Sequence, residues 1–171
     1  GSEGMELKNE VTNNSGLETI ARVGQSFRLP AAFDTLTWYG KGPWETYADR
    51  KDAALIGLYT SSVAEQHVPF AVPCECGGHE DTRFAALSDG THTVQIVGSD
   101  DFHFSALPYS IAEYRKATYE EELPEHTTGT WLILDAAHAG LGGDTGWTKN
   151  IHPEYRVCKG RYSYTFRFHF A

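Results

Sequence analysis

The amino-acid sequence predicts an all-β domain, a β-sandwich accompanied by one short helix. Short segments with alternating apolar and polar residues recur along the 171-residue chain, separated by turns that contain glycine or aspartate. Aromatic residues make up 13% of the chain, and aromatic side chains favour strands. The hydrophobic fraction of 40% is too high for a disordered chain, so we expect a packed core.

Five predicted strands precede the final third of the chain. Residues 83–97 predict a hairpin, because two apolar runs flank the turn sequence Ser-Asp-Gly-Thr at 88–91. The other three strands are short segments in which apolar and polar residues alternate, at 26–29, 35–38 and 102–106.

The two clearest strands lie near the end of the sequence. Residues 131–134 read Trp-Leu-Ile-Leu, a continuous apolar run that is typical of a strand buried on both faces. From 162 to 170, Tyr or Phe occupies every second position, and Ser, Thr, Arg and His occupy the positions between. This period of two predicts a strand with an apolar inner face and a polar outer face.

One helix is predicted, from Ser110 to about Glu122. Ser110 and Glu113 have capping-box spacing, in which the Ser hydroxyl accepts a backbone N–H and the Glu side chain reaches back to the cap. Pro124 then prevents continuation of the helix. Because the segment is short and charged, we expect it to cover an edge or an end of a sheet.

The predicted domain occupies residues 17–171 and follows an arm at residues 1–16. The arm is polar and poor in core candidates, which indicates a frayed segment or the edge of a larger domain. Gly1 and Ser2 resemble a cloning scar, so the compartment is left open.

The formal net charge of −9 argues against nucleic acid and against anionic membrane surfaces as partners, because Lys and Arg drive both interactions. The sequence holds no apolar stretch of the length that a bilayer requires. A neutral partner such as a sugar is compatible with this charge, and a simple requirement for solubility explains it equally well.

The cysteine and histidine pattern does not predict a metal site. Cys74 and Cys76 lie close to His79, but Cys-x-Cys with one histidine lacks the four ligands and wider spacing of zinc sites. Three cysteines also make a poor disulfide framework. We therefore expect no metal ligand and no cofactor in this chain.

Two glycine-rich segments, 38–50 and 135–147, are the candidates for a functional site. The second lacks the Lys-Ser/Thr pair of a phosphate loop, and no helix signal follows it. Its glycines permit a tight path that presents Asp144 and Trp147. An indole stacks on the apolar face of a sugar and a carboxylate accepts hydroxyl hydrogen bonds, although a buried structural Trp explains the pattern as well.

Several segments, in this order, resemble the C-terminal domain of large bacterial β-galactosidases of glycoside hydrolase family 2. Residues 38–43 read Trp-Tyr-Gly-Lys-Gly-Pro, where the family has Trp-Tyr-Gly-Arg-Gly-Pro. Residues 104–110 differ from the family's Phe-Ser-Ala-Leu-His-Tyr-Ser at one position. Residues 142–147 resemble Gly-Gly-Asp-Asp-Ser-Trp, with Thr-Gly in place of Asp-Ser. Shorter matches lie at 68–70, 73–77 and 152–155.

This resemblance implies a supersandwich fold, similar to that of galactose mutarotases, in a retaining enzyme that hydrolyses terminal β-D-galactosides such as lactose. It implies that the two catalytic glutamates belong to a separate barrel domain, so that this chain carries no catalytic residue. The implied partners are that barrel, the other domains of the enzyme, the galactoside and further copies of a homo-oligomeric parent. Any Mg²⁺ or Na⁺ of the parent enzyme would belong to those other domains.

The resemblance also assigns candidate substrate-binding residues. By position, Trp147 corresponds to the family's Trp that forms part of the sugar-binding floor, and Asp144 shapes its loop. His138 and Glu75 are weaker candidates for sugar contact. A mutarotase-like reaction in this chain would need a His–Glu pair as acid and base, and a structural His is the plainer interpretation.

Two other functions remain open from the sequence. A free-standing carbohydrate-binding module would bind sugar by itself, whereas a purely structural or oligomerisation domain would expose an apolar docking patch. The cytoplasm and the periplasm of a bacterium both remain open as the compartment.

Overall fold

The computed structural model describes residues 4–142, 150–158 and 160–171. The strands and the α-helix, in chain order, are β1 (Gly4–Asn13), β2 (Arg22–Leu29), β3 (Thr35–Gly42), β4 (Leu55–Ser62), β5 (Gly78–Ser88), β6 (Thr93–Leu107), α1 (Ile111–Lys116), β7 (Thr130–His138) and β8 (Gly160–Phe170). Short 3-10 turns occupy Ala64–Gln66, Glu120–Glu122 and Pro153–Tyr155. Among the described residues, no helix is long and apolar enough to cross a membrane.

The eight strands form one antiparallel, branched sheet, which confirms the all-β, sandwich-like fold class. The main path runs β1-β8-β6-β5-β3-β4, and a second branch attaches β7 and β2 to β6. β6 pairs with β8 over residues 94–98 and with β7 over residues 103–107. β8 and β7 therefore pair with the same edge of β6, each along a different part of its length. The pair β8 and β1 and the pair β7 and β2 face each other across the core.

The core lies between these branches. On β8, Phe166 and Phe168 are 1% and 4% exposed. Phe27 of β2 packs edge-on against Phe168 with the ring centroids 5.3 Å apart, and Phe102 packs in the same way on Phe166 at 5.4 Å. Burial of side chains this large is the main source of stability, at roughly 2–3 kcal/mol for each ring.

Most predicted elements are confirmed. The strands at 26–29, 35–38 and 131–134 lie in β2, β3 and β7, and the predicted hairpin is formed by β5 and β6. The segment at 102–106 continues β6 rather than forming a separate strand. The final strand buries its aromatic side chains at 164, 166 and 168, as the period of two predicts.

The predicted length of the helix was wrong. The capping box of Ser110 and Glu113 is present, but α1 ends at Lys116. Ala117 has extended backbone, and the N–H of Thr118 donates to the side chain of Glu122 instead of a helical carbonyl. The helix packs on the end of β6, where Tyr114 contacts a small core cluster with Leu107.

The polar segment before residue 15 forms an additional strand, β1, which pairs with β8 along its whole length. Leu7, Asn9 and Val11 alternate with exposed neighbours on this strand. The central position of this inward row is an asparagine, which explains why the apolar pattern is weak in the sequence.

Candidate functional site

A largely buried polar cluster lies where the start of β2, the end of β7, the middle of β6 and the loop before β5 meet. Its members are Arg22, Glu75, His103, Asp135 and His138. Strand pairing places Arg22 opposite His138 and His103 opposite Asp135. The cluster therefore depends on the registers of three strands and one loop.

Two glycines leave room for the cluster. A Cβ atom on Gly24 would lie 2.2 Å from both Oδ1 of Asp135 and the carbonyl oxygen of Leu134. A Cβ atom on Gly78 would lie 2.4 Å from the ring of His103. Both distances are far below van der Waals contact, so larger residues at these positions would displace the polar groups.

Arg22 is the positive centre of the cluster. Its guanidinium forms an ion pair with Glu75, lies 3.3 Å from Oδ2 of Asp135 and lies 3.0 Å from Nε2 of His138. Burial lowers the pKa of Arg22, but the neighbouring carboxylates outweigh this effect and raise it above its usual value. Arg22 therefore carries its charge in the folded protein.

The two acidic partners of Arg22 have opposite pKa shifts. Burial raises the pKa of Glu75, but hydrogen bonding with His138 and the charge of Arg22 outweigh it and bring the pKa to about 2. Asp135 is completely buried, and burial raises its pKa to about 6 despite the attraction of Arg22. Glu75 is therefore ionised near neutral pH, whereas Asp135 titrates in mildly acidic solution.

The two histidines stack on each other with the ring centroids 4.4 Å apart. Nδ1 of His103 lies 2.8 Å from Oε1 of Glu80, and Nδ1 of His138 lies 2.7 Å from the carbonyl oxygen of Ala139. Burial lowers the pKa of His103 well below its usual value. His103 is therefore neutral at physiological pH.

The first glycine-rich segment lies directly against this cluster. The Tyr47 ring is fully buried, 5.4 Å from the rings of His103 and His138, and its hydroxyl accepts the N–H of Gly78 at 3.3 Å. Burial raises the pKa of Tyr47, so the phenol stays neutral.

Asp49 of the same segment binds the backbone of the two residues that precede residues 143–149. Its carboxylate accepts the backbone N–H of Leu141 at 3.0 Å and that of Gly142 at 2.6 Å. The two glycine-rich segments of the sequence are thus joined in the fold. Two predicted site residues, Asp144 and Trp147, lie outside the described residues.

An open pocket of about 470 Å³ lies beside this junction, lined by Asp49, Arg50, Tyr155 and others. Trp44 lines the same pocket and is 69% exposed. An exposed indole next to carboxylates has the chemistry that a sugar surface needs. Trp44 was not predicted as a site residue, because nothing in the sequence motif distinguishes an exposed Trp from a buried one.

The structure brings together the two predicted residues that it describes. Oε1 of Glu75 lies 3.7 Å from Nε2 of His138. Arg22, His103 and Asp135 were missed. The sequence contains one signal for them. Asp135 directly follows the apolar run 131–134, and an acidic residue buried at the end of such a strand requires a partner.

The Cys-x-Cys segment does not converge on His79. All three cysteines are free thiols, with Cys74 exposed and Cys76 buried. Cys76 contacts the hydroxyl of Tyr114, whereas His79 contacts the carbonyl oxygen of Lys41 and the side chain of Gln66.

Comparison with known proteins gives a consistent result over nearly the whole chain. The family described as "Beta galactosidase small chain" matches residues 1–168. A β-galactosidase of Vibrio cholerae is 38% identical over 164 residues, which cover 96% of this chain and 15% of that protein. A β-galactosidase of Priestia megaterium is 36% identical over 162 residues, covering 94% of this chain and 16% of that protein.

A β-galactosidase of Enterobacter cloacae is 40% identical over 152 residues, which cover 89% of this chain and 14% of that protein. The chain thus spans about one-sixth or less of the length of the relatives that it matches.

Proposed function

Because the chain belongs to the β-galactosidase small chain family, we propose that it is a supporting domain of a retaining β-galactosidase. In the whole enzyme, which would hydrolyse terminal β-D-galactosides such as lactose, the catalytic glutamates come from a separate barrel domain. This chain packs against the barrel and contributes Trp147 to the floor of the sugar site, with Asp144 shaping the loop.

The observation that carries this proposal is the anchor formed by Asp49. Two backbone N–H groups, of Leu141 and Gly142, bind its carboxylate immediately before residues 143–149. A sugar-binding aromatic residue needs a defined position, because a shift of about 1 Å weakens orientation of the reacting bond. The anchor supplies a fixed starting point for the segment that carries Trp147.

The buried carboxylates also support a role without catalysis. Retaining hydrolysis needs two carboxyl groups about 5 Å apart on opposite sides of the bond that is cleaved. Glu75 and Asp135 both pair with the same guanidinium, that of Arg22, inside the domain. The two carboxylates are therefore paired with Arg22 inside the domain rather than arranged as a catalytic pair.

Glu75 and His138 differ in their access to a sugar. The side chain of Glu75 is 29% exposed, whereas that of His138 is 3% exposed. Glu75 can therefore accept a hydrogen bond from a sugar hydroxyl. His138 is too buried to contact a sugar, and its role is to position Glu75 and Arg22.

An apolar row on the outer face of the sheet supports docking of the rest of the enzyme. Leu58, Tyr39, Phe84 and Val97 lie opposite one another on four neighbouring strands, from β4 to β6. Leu58 is 65% exposed and Tyr39 is 38% exposed. Apolar side chains in a continuous row are typical of a surface that another domain covers.

A second candidate function is sugar binding by this chain alone. The exposed Trp44 in the 470 Å³ pocket favours it, because the residues that line this pocket all come from this chain. An NMR titration of the isolated chain with galactose separates the two functions: only the binding module gives saturable shifts without the barrel.

The decisive experiment replaces Trp147 in the whole enzyme. With lactose or a chromogenic galactoside, we expect Trp147→Ala to lower kcat/KM at least tenfold, equivalent to about 1.4 kcal/mol of lost binding to the transition state. The physical reason is loss of the apolar surface on which the sugar ring stacks.

Trp131→Phe is the matched control. Trp131 lies seven residues before His138 on β7, about 23 Å away along an extended strand. The Trp131→Phe substitution should leave kcat/KM within a factor of two of the parent enzyme's value. Unchanged kinetics of Trp147→Ala, or an equal loss in both variants, would show that Trp147 does not form the sugar floor.

A further inference from the structure

Three potential metal-ligand atoms from distant parts of the sequence converge in the polar cluster. One carboxylate oxygen of Glu75, one ring nitrogen of His103 and one of His138 lie within 4.8 Å of one another. We propose that Glu75, His103 and His138 form a binding site for a divalent transition-metal ion of the zinc type. The site does not depend on the proposed role in sugar cleavage.

The hydrogen bonds made by Nδ1 of each histidine orient its Nε2 atom into this site. Nδ1–H of His103 donates to Glu80, and Nδ1–H of His138 donates to the carbonyl oxygen of Ala139. In both rings Nε2 is therefore the nitrogen that can coordinate a metal ion through its lone pair. Metal-binding histidines have this same arrangement, in which a carboxylate or a carbonyl fixes the tautomer.

Two potential ligand atoms of these side chains have no hydrogen-bond partner among the described residues. Nε2 of His103 and Oε1 of Glu75 are both buried atoms without one. His103 itself is 4% exposed. An unsatisfied buried acceptor is unfavourable, and a bound cation would satisfy both atoms at once.

The distances require a small closure around the ion. Zinc bonds of about 2.0–2.2 Å at tetrahedral angles place ligand atoms about 3.3–3.6 Å apart. Oε1 of Glu75 and Nε2 of His138 are already 3.7 Å apart. Glu75 belongs to the loop before β5, so its side chain can approach the two strand-borne histidines.

Two pockets border the cluster. One, of about 230 Å³, is lined by Glu75 and His138. The other, of about 270 Å³, is lined by His103, His138 and Glu80. A metal ion with three protein ligands could therefore complete its coordination with water.

Arg22 is a competing cation at the site. Its Nη2 contacts both Nε2 of His138 and Oε2 of Glu75. A metal ion would take the lone pair of His138, while Arg22 would keep Oε2 of Glu75 and its contact with Asp135. The carboxyl groups of Glu75, Glu80 and Asp135 offset the added positive charge.

The ligand set selects the class of metal. Two imidazoles and one carboxylate suit zinc and neighbouring first-row ions, whereas Mg²⁺ and Ca²⁺ prefer oxygen ligands. The set also differs from the Cys74–Cys76 segment, whose thiols belong to no part of it.

The test is a zinc titration of the 171-residue chain in competition with a chromophoric chelator. We expect one equivalent of Zn²⁺ to bind and Mg²⁺ not to compete. His103→Gln and His138→Gln should each weaken zinc binding roughly 100-fold or more, since loss of a supporting residue alone weakens metal sites about 10–100-fold. His126→Gln, which changes an exposed histidine, should have no effect.

Two substitutions of Glu80 should weaken zinc binding to different degrees. Glu80→Gln keeps an oxygen that accepts Nδ1–H of His103 and should bind zinc almost as the parent does. Glu80→Ala removes it and should weaken binding about 10–100-fold. Circular dichroism and thermal unfolding without metal establish that each variant is folded.

X-ray absorption spectroscopy of the zinc-loaded parent chain supplies a result that needs no variant. Two imidazoles and no sulfur in the coordination shell support the site. Sulfur ligands, binding that survives both histidine substitutions but is lost in Cys74→Ser, or the lack of saturable binding would each overturn the proposal.

Discussion

Gly24 shows how one residue without a side chain permits a buried charge. Its absent Cβ leaves the space that the carboxylate of Asp135 occupies, and the strand register shifts between Val23 and Gly24. In this position the side chain of Asp135 is completely buried and lies 3.3 Å from the guanidinium of Arg22. A substitution at Gly24 therefore tests the whole polar cluster.

We expect Gly24→Ala to lower the free energy of unfolding by about 1–3 kcal/mol, because the new methyl group overlaps the carboxylate and a backbone carbonyl. Urea denaturation measures the change. Gly16→Ala is the matched control, since a Cβ there meets nothing within 4 Å, and it should be neutral or slightly stabilising. Equal stability of the two variants would contradict the steric argument.

At this scale the sequence predicts little of the cluster. Glu75 and His138 were selected through the family resemblance, but Arg22 and His103 lie in ordinary strand patterns without motif spacing. Contacts between residues more than 100 positions apart, such as Arg22 and His138, depend on strand register. Local patterns along the chain carry no information about that register.

At the scale of elements, β8 is the strand on which pattern and burial agree most closely. Its aromatic residues alternate, but the burial is graded: Phe166 is 1% exposed and Phe170 is 41% exposed. The period of two predicts which face points inward. It does not predict where along the strand the second layer ends.

This gradient predicts different costs for the same substitution on one strand. Phe166→Ala should destabilise the protein by about 3–5 kcal/mol, because it leaves a cavity next to Phe102. Phe170→Ala should cost less than about 1 kcal/mol, since much of its ring is already in water. Chemical denaturation of the two variants checks this, and similar losses would show that β8 is buried evenly.

The sequence predicted the presence of the α-helix correctly but did not predict where it ends. The capping box located the start of α1, where backbone and side chain interact within four residues. Its end at Lys116 depends on Glu122 accepting the Thr118 N–H and on Leu123 packing near Tyr114. These contacts require tertiary structure, and the sequence offered only Pro124 as a stop signal, so the predicted helix was too long.

At the scale of the whole molecule, buried histidines should make stability depend on pH. Burial lowers the pKa of His79 to about 3, and His79 has no exposed surface. The unfolded chain binds a proton at this position below about pH 6.5, but the folded chain does not. Stability from His79 is therefore present above pH 6.5 and is lost on acidification.

Each buried imidazole should contribute a slope of about 1.4 kcal/mol per pH unit below pH 6. His103 acts in the same direction as His79, whereas Asp135 opposes both between pH 3.8 and about 6, because its folded pKa is raised. Burial also raises the pKa of Glu80, which opposes the two histidines as well. We therefore expect the free energy of unfolding to fall from pH 7 to pH 5 with a slope smaller than that of the two imidazoles together.

Denaturation at several pH values, repeated with His79→Gln, measures this effect. The variant should have a lower stability at pH 7 but a flatter dependence below pH 6. His126→Gln, at an exposed position, should keep the slope of the parent chain. An unchanged slope in His79→Gln would mean that the His79 imidazole is protonated in the folded state.

The branching of β6 has a consequence for the order of folding. β5 and β6 are joined by a short turn, so their pairing closes a small loop. By contrast, β7 and β8 pair with residues of β6 that lie at least 24 positions away in the sequence. We expect this hairpin to act as the template on which β8 and β7 later assemble. The polar cluster needs β2, β6, β7 and the Glu75 loop together. It would then form last, in the step that completes the native structure.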